Sequence, residues 1–412
     1  MEWKEWAKSL CFQLWEMIVT AFVRPRLFGY GLRTQWHIPK RNDSHYAYLN
    51  VSPRPEASKV RKVLEHWYSA MPDNSKPDVR GRFRSPDYAQ HFSAFTEIAI
   101  NRLVRRLKYH AEVHPELPET PRHPDFLLTA SNGTNCFLEV TVCTDSDPVN
   151  DGKRRLKNAV LDAVDGIVHP AFMLGVEPRG VPQGPLPQKR IRQEVERNLS
   201  SLDPLKIVAD LREKGLEAMP RFQFAELGWE FEYYPIPVHR KAGKHPGRMI
   251  GLETFETRKL TASASLRDSV LRKAKRYGAL SSGYVVAVNV LSDFRIDRDE
   301  ICEALFGTPQ YHFRADSFAS SDPEFSRLPD GVWFDKGGPR YTTLSAVLIA
   351  NALYPWNMPK GELLIVHNPW AVHPCRDLFP GVTAAVPIED HLDWREGLAT
   401  EELLGLPTSW PY

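Results

Sequence analysis

The sequence predicts a mixed α/β protein, a sheet flanked by helices, on three observations. A short apolar run at 126–128 and a longer one at 136–142 are separated by a Ser131-Asn132-Gly133 turn, the pattern of a β-hairpin. A run apolar but for Asn289, Gly283-Tyr-Val-Val-Ala-Val-Asn-Val-Leu291, reads as a buried strand. Between and around these runs lie segments whose apolar residues recur every three or four positions, as covering helices require.

In chain order, Trp3, Trp6, Leu10, Leu14, Met17 and Ala21 form one stripe of an amphipathic helix. Lys8, Gln13 and Glu16 punctuate it too often for a membrane span, and its acidic start is wrong for a signal peptide, so no integral membrane segment is expected. The stripe suits docking on the body of the protein or on another subunit in a homo-oligomer or partner complex, with contact to a membrane surface as the alternative. Residues 24–55, rich in Pro, Gly and aromatics, read as extended connection. Residues 57–70 form a short helix with Val60, Val63, Leu64 and Trp67 inward. A longer helix follows, with Phe92, Phe95, Glu97, Leu103 and Leu107 at helical spacing; Ser85 is its expected N-cap and Pro86 its first residue.

After the hairpin, a helix at 153–167, a strand at 172–176, helices at 188–199 and 205–213, and a hairpin at 221–238 make up an interval, 145–261, that reads as an insertion. The main pattern resumes with a helix at 266–277 ended by Gly278, the strand at 283–291, a helix at 297–306, and apolar runs at 344–353 and 363–366. The expected organisation is an N-terminal helical and extended region (1–84), a core (85–307) carrying the insertion 145–261, and a C-terminal α/β extension of that core (308–412).

Bulk properties exclude several classes. The 412 residues carry a formal net charge of +2, but residues 1–110 hold 19 Lys and Arg against 10 Asp and Glu, and residues 311–412 hold 7 against 13. A basic front portion is compatible with phosphate-backbone contacts and equally with a basic face set against an acidic one. Five scattered cysteines without a Cys-x-x-Cys argue against a disulfide framework or zinc ribbon and fit a reducing cytoplasm. No phosphate loop, dinucleotide fingerprint or nucleophile elbow is present.

The chemistry concentrates in His123-Pro-Asp125-Phe-Leu-Leu and Cys136-Phe-Leu-Glu139-Val-Thr141-Val. A Glu inside an otherwise apolar strand is costly unless paired, and two carboxylates facing each other across a hairpin invite a hard divalent cation. Asp125, thirteen intervening residues and Glu139-Val140-Thr141, preceded by a helix bearing Glu97, resemble the PD-(D/E)xK, or restriction-endonuclease-like, nuclease superfamily. The resemblance runs over roughly 85–307. It implies a restriction-endonuclease-like mixed sheet and a metal-dependent nuclease cutting phosphodiester bonds, of DNA ahead of RNA, with restriction or anti-phage defence as a role many members share. It implies Mg²⁺ or Mn²⁺ held by Asp125, Glu139 and the Val140 carbonyl, with Glu97 acting from its helix. Thr141 occupies the position of the family's lysine. Lys273 on the following helix, preferred over Lys275, is the expected replacement cation. The alternative is a nuclease fold without catalysis that binds nucleic acid or a protein partner; a third reading is a structural protein whose hairpin only mimics the motif. Asp145, Asp147 and Asp151, the His367–His373 segment, and Gly331-Val-Trp333 with Arg340 are weaker candidates for the site.

Overall fold

A computed structural model describes residues 25–36, 38–118, 120–144, 148–238, 248–253, 262–291, 295–312, 324–388, 391–407 and 409–411. The N-terminal amphipathic stripe, Asp145, Asp147 and the side chain of Asp151 lie outside what it describes. The chain divides into two compact units, one of residues 1–35, 44–145 and 262–412, the other of 36–43 and 146–261.

The first unit opens with four helices, α1 (His45–Val51), α2 (Pro55–Ser69), α3 (Lys76–Arg84) and α4 (Tyr88–Arg106), followed by β1 (His110–Val113), β2 (Phe126–Thr129) and β3 (Asn135–Thr144). Two details depart from expectation. Residues 45–51 and 76–84 are helical, and α4 is capped not by Ser85 but by Asp87, whose carboxylate accepts from the Gln90 N–H at 2.8 Å. Ser85 instead closes α3 as its C-cap. A Ser-Pro-Asp sequence offers two capping side chains, and the one nearer the first helical turn prevails.

The second unit contains α5 (Pro148–Asp165), β4 (Phe172–Gly180), α6 (Gln188–Ser200), α7 (Pro204–Lys214), β5 (Phe222–Glu226), β6 (Trp229–Pro237) and β7 (Ile250–Glu253). Its sheet has the order β5-β6-β4-β7, antiparallel except for the β4–β7 pair. Phe172, Leu174, Trp229 and Phe231 of this sheet share a buried core with Leu161, Val164, Ile191 and Val195 of α5 and α6. Arg41 of the short 36–43 segment is held in this unit by the Asp162 and Asp165 carboxylates.

The chain then completes the first unit with α8 (Ala262–Ala274), β8 (Gly283–Leu291), α9 (Arg298–Phe306) and the two-stranded ribbons β9 (Pro309–His312) with β10 (Glu324–Arg327), and β11 (Phe334–Asp335) with β12 (Gly338–Pro339). Last come β13 (Leu344–Asn351), β14 (Glu362–His367), β15 (Thr383–Ile388), β16 (His391–Arg395) and α10 (Thr400–Leu404). Eight strands form one mixed sheet in the order β1-β2-β3-β8-β13-β14-β15-β16. The β3–β8, β8–β13 and β14–β15 pairs are parallel and the rest antiparallel. Every residue of β8 and β13 is buried, which is why their sequences run apolar without alternation.

Alternation sorts the sheet's side chains onto two faces. Leu138, Val140, Val285, Ala287 and Leu348 pack with α2 and α4 residues such as Leu64, Phe95 and Ile98. Phe137, Tyr284, Val286, Val288 and Val347 pack with Leu266 and Val270 of α8 and Ile301 of α9. Each fully buried aliphatic or aromatic side chain contributes roughly 1.5–3 kcal/mol, so these two faces hold α4 and α8 firmly against the strand that lies between them. Among the described residues no helix is long and apolar enough to cross a membrane.

Candidate functional site

The β2–β3 hairpin pairs Phe126 with Leu138 and Thr129 with Asn135, and its loop turns through Gly133 at φ 82°. Continuing that register by one residue sets Asp125 opposite Glu139. Both then belong to the face of Phe137 and Leu127, the face covered by α8. β3 runs on past its last pairing with β2 to Thr144, so Asp125 stands where the two strands part. Its Oδ2 accepts a hydrogen bond from the Val140 N–H at 2.6 Å. The backbone atom that meets Asp125 is thus the Val140 amide.

Glu139 is 1 % exposed and carries three partners from the end of α8 and just beyond it. Lys273 Nζ lies 2.6 Å and Arg276 Nη1 2.8 Å from Oε1. The Tyr277 hydroxyl is 2.7 Å from Oε2 and 2.8 Å from the His123 carbonyl oxygen, so its single proton serves one acceptor at a time. The helix stops at Ala274 rather than at 277, so Arg276 and Tyr277 reach Glu139 from the chain that follows it. The Tyr284 hydroxyl donates to the Lys273 carbonyl at 3.1 Å, satisfying one of the open carbonyls at the helix end. Burial raises the Tyr277 and Tyr284 pKa values, with the charge of Glu139 adding to both; Tyr277 therefore stays protonated and donating.

Glu97 projects from α4 and is nearly fully buried. Arg82 of α3 places Nη2 2.6 Å from its Oε2 and the same distance from Asp78 Oδ2. Burial raises the Glu97 pKa and the Arg82 charge opposes that rise. Burial also works against the charge of Arg82, but Glu97 and Asp78 outweigh it and raise its pKa. One residue earlier, Thr96 Oγ1 accepts from Asn289 of β8 at 3.0 Å, and the same amide group bridges the Leu353 N–H and carbonyl. This buried link fixes α4 along the sheet and so fixes where Glu97 points.

The three acids share one electrostatic neighbourhood. Burial, then Glu139, then Glu97 push the Asp125 pKa up to about 7, against the Val140 hydrogen bond and the Lys273 charge. The site thus draws together Asp125, Glu139 and Lys273, while the charge of Glu97, from α4, is felt at Asp125. The exposed Lys275 side chain makes no hydrogen bond or ion pair with a described residue. Thr141, two residues along β3 from Glu139, is half-buried on the same face. Sequence reading passed over Arg276, Tyr277 and Arg82. The 266–277 segment did show its basic density, but not which of its cations would turn inward.

Two of the weaker candidates, Asn368 and Arg340, hold local structure. Asn368, which follows His367 at the end of β14, donates to the Leu344 carbonyl at 2.8 Å and accepts from the Trp370 N–H, and its own N–H meets the Ser345 carbonyl. Arg340 clasps the Gly331 and Val332 carbonyls beside buried Trp333. A Cβ at Gly331 would come within 2.5 Å of the Gly307 nitrogen, so that glycine serves close chain packing. The four described cysteines, Cys136, Cys143, Cys302 and Cys375, are buried and form no disulfide with one another.

Comparison with protein-family models, with curated proteins and with solved structures returns no match for this chain.

Proposed function

We propose that the protein is a divalent-metal-dependent nuclease of the PD-(D/E)xK kind, hydrolysing phosphodiester bonds of DNA ahead of RNA. The observation that carries the reading is the setting of Asp125 opposite Glu139 where β2 and β3 part, with Lys273 on Glu139. The helix–hairpin–helix–strand order, with β3 and β8 parallel and α8 between them in sequence, supports the same reading.

The donor chemistry fits a hard cation. Asp125 is driven toward protonation by burial and then by the charges of Glu139 and Glu97, a repulsion that a divalent ion would relieve. Among the described residues no three His, Cys, Asp or Glu side chains converge to cage an ion. The candidate ligands are therefore Asp125 and Glu139 with water, the style of Mg²⁺ or Mn²⁺ rather than zinc. Glu139 Oε1 already meets two cations, while Oε2 accepts one bond and keeps a lone pair. When bound, such an ion supplies Lewis acidity and a water of lowered pKa. Lys273 orients Glu139 and offers a fixed positive charge where Thr141 offers none. Glu97, anchored by Arg82, adds negative charge behind Asp125.

Incubating the purified chain with plasmid, single-stranded DNA and RNA in Mg²⁺, Mn²⁺ or EDTA tests this reading. Metal-dependent cleavage lost in EDTA and in Asp125→Ala is the expected result. Folded protein that cuts none of the three in either metal overturns it. A second reading, a non-catalytic nuclease-fold subunit that binds nucleic acid or a protein partner, is favoured by Thr141 at the lysine position and by the two cations of the chain that already hold Glu139 Oε1. Binding without cleavage would select it.

A further inference from the structure

The site just described holds one more charged group than its carboxylates need. Glu139 is already satisfied by the Lys273 ammonium on Oε1 and the Tyr277 hydroxyl on Oε2, yet Arg276 also places Nη1 on Oε1. Glu139 is 1 % exposed whereas the Arg276 side chain is 39 % exposed, so the guanidinium spans from the buried carboxylate to the mouth of the site. Nη1 to Glu139 is its only hydrogen bond to a described residue, leaving Nε and Nη2 with donors to spare. Arg122, also exposed, donates Nη1 to the Arg276 carbonyl at 3.2 Å and brings a second guanidinium to that rim.

Charge counting gives this surplus a purpose. Asp78, Glu97, Asp125 and Glu139 face Arg82, Lys273, Arg276 and, at the rim, Arg122, four acids against four bases. A divalent ion on Asp125 and Glu139 would leave the cluster with two positive charges in excess, an environment suited to an anion. It would also weaken the hold of Glu139 on Arg276, the most exposed of its cationic partners. A planar guanidinium with free N–H groups matches two oxygens of a phosphodiester, which an ammonium meets only as a point charge.

We propose that Arg276 is the phosphodiester-binding residue of this site, taking the non-bridging oxygens of a nucleic-acid backbone phosphate, with Arg122 adding charge at the same rim. The inference rests on the nuclease reading for the identity of the anion. Removing Arg276 leaves Glu139 its Lys273 and Tyr277 partners, so the fold survives the substitution.

The test uses the full chain, a fluorescent DNA duplex and Ca²⁺ or Mg²⁺. Binding is followed by anisotropy across a KCl series, cleavage is followed in parallel, and thermal melting is the control for folding. Arg276→Ala should melt with the wild type, bind DNA at least tenfold more weakly, and reduce the slope of log affinity against log salt by about 1, the loss of one phosphate contact. Arg276→Lys should recover the salt slope but not the full affinity, a signature that a purely structural role would not give. If Arg276→Ala melts early, Arg276→Gln and Arg276→Lys carry the comparison. Unchanged affinity and slope in folded variants overturn the proposal; if the wild type still cuts DNA, the nuclease reading outlives it. Arg276-dependent binding without cleavage supports the phosphate site and overturns the nuclease reading. Failure of the wild type to bind DNA overturns both.

Discussion

Asp125 carries the most informative electrostatics in the molecule. Its pKa lies near 7 instead of 3.8, chiefly through burial and then through Glu139 and Glu97. The folded chain therefore retains a proton, between about pH 4 and 7, that the unfolded chain has released. Its contribution to stability is intact below the unfolded value, falls as pH rises, and is a full penalty above about 7. Asp125→Asn, which keeps an acceptor for the Val140 amide, should then stabilise the metal-free protein at pH 8 by on the order of 2–4 kcal/mol and hardly at pH 4. Urea unfolding at the two pH values checks this; an equal effect at both would refute the assignment. Mg²⁺ should raise the melting temperature of the wild type more at pH 8 than at pH 5, and Asp125→Asn should abolish that gain.

Lys273 and Thr141 give a second residue-scale expectation. Lys273→Ala should lower turnover by roughly a hundredfold, since a cation fixed beside developing charge is worth on the order of 3 kcal/mol. Single-turnover cleavage separates this from weakened binding. Thr141→Lys, on the face of Glu139, should be accommodated and should recover part of the loss in the Lys273→Ala background.

At the scale of elements, the site depends on two helices clamped to opposite faces of β3. α4 is placed by its Asp87 cap and by the Asn289 link from β8 to Thr96 and Leu353. Asp87→Ala should cost about 1 kcal/mol, the usual worth of such a cap. Asn289→Ala leaves the Leu353 groups buried without partners and should cost about 2–3 kcal/mol. Both are read from denaturant midpoints. Only the second should also slow cleavage, because only it lets α4 shift along the sheet. α8 is placed by Leu266, Val270 and Ala274 against the sheet, and its early end at Ala274 sends Arg276 and Tyr277 toward Glu139.

Across the whole molecule, the division into two units has a thermodynamic consequence. The first unit has cores on both faces of its eight-stranded sheet, and the second closes its own core around Phe172, Trp229 and Phe231. Units with separate cores need not unfold together. Calorimetry should resolve two transitions. Phe231→Ala, at a fully buried position, should destabilise one of them by about 3–5 kcal/mol and leave the other in place. A single transition moved as a whole would show that the two cores unfold as one.

The sequence by itself determined what depends on local pattern. The hairpin, the fully buried β8 and the stripe of α4 were all legible because side-chain period reports burial directly. The pairing of Asp125 with Glu139 was legible too, since an antiparallel register follows from a short turn. Helices α1 and α3 were not, because α1 at seven residues is too short to show a helical period and α3 sets only Val79 and Phe83 among a proline and charges; their stability comes from packing on α2 and α4. Nor could the sequence choose Arg276 and Tyr277 from a segment dense in cations. That choice depends on where α8 ends and on which side chains the sheet then brings within reach of one buried carboxylate. Partners such as Arg82 for Glu97, fifteen residues apart on separate helices, are likewise decided by tertiary packing, because only the folded chain excludes water from Glu97 and so makes a nearby cation necessary.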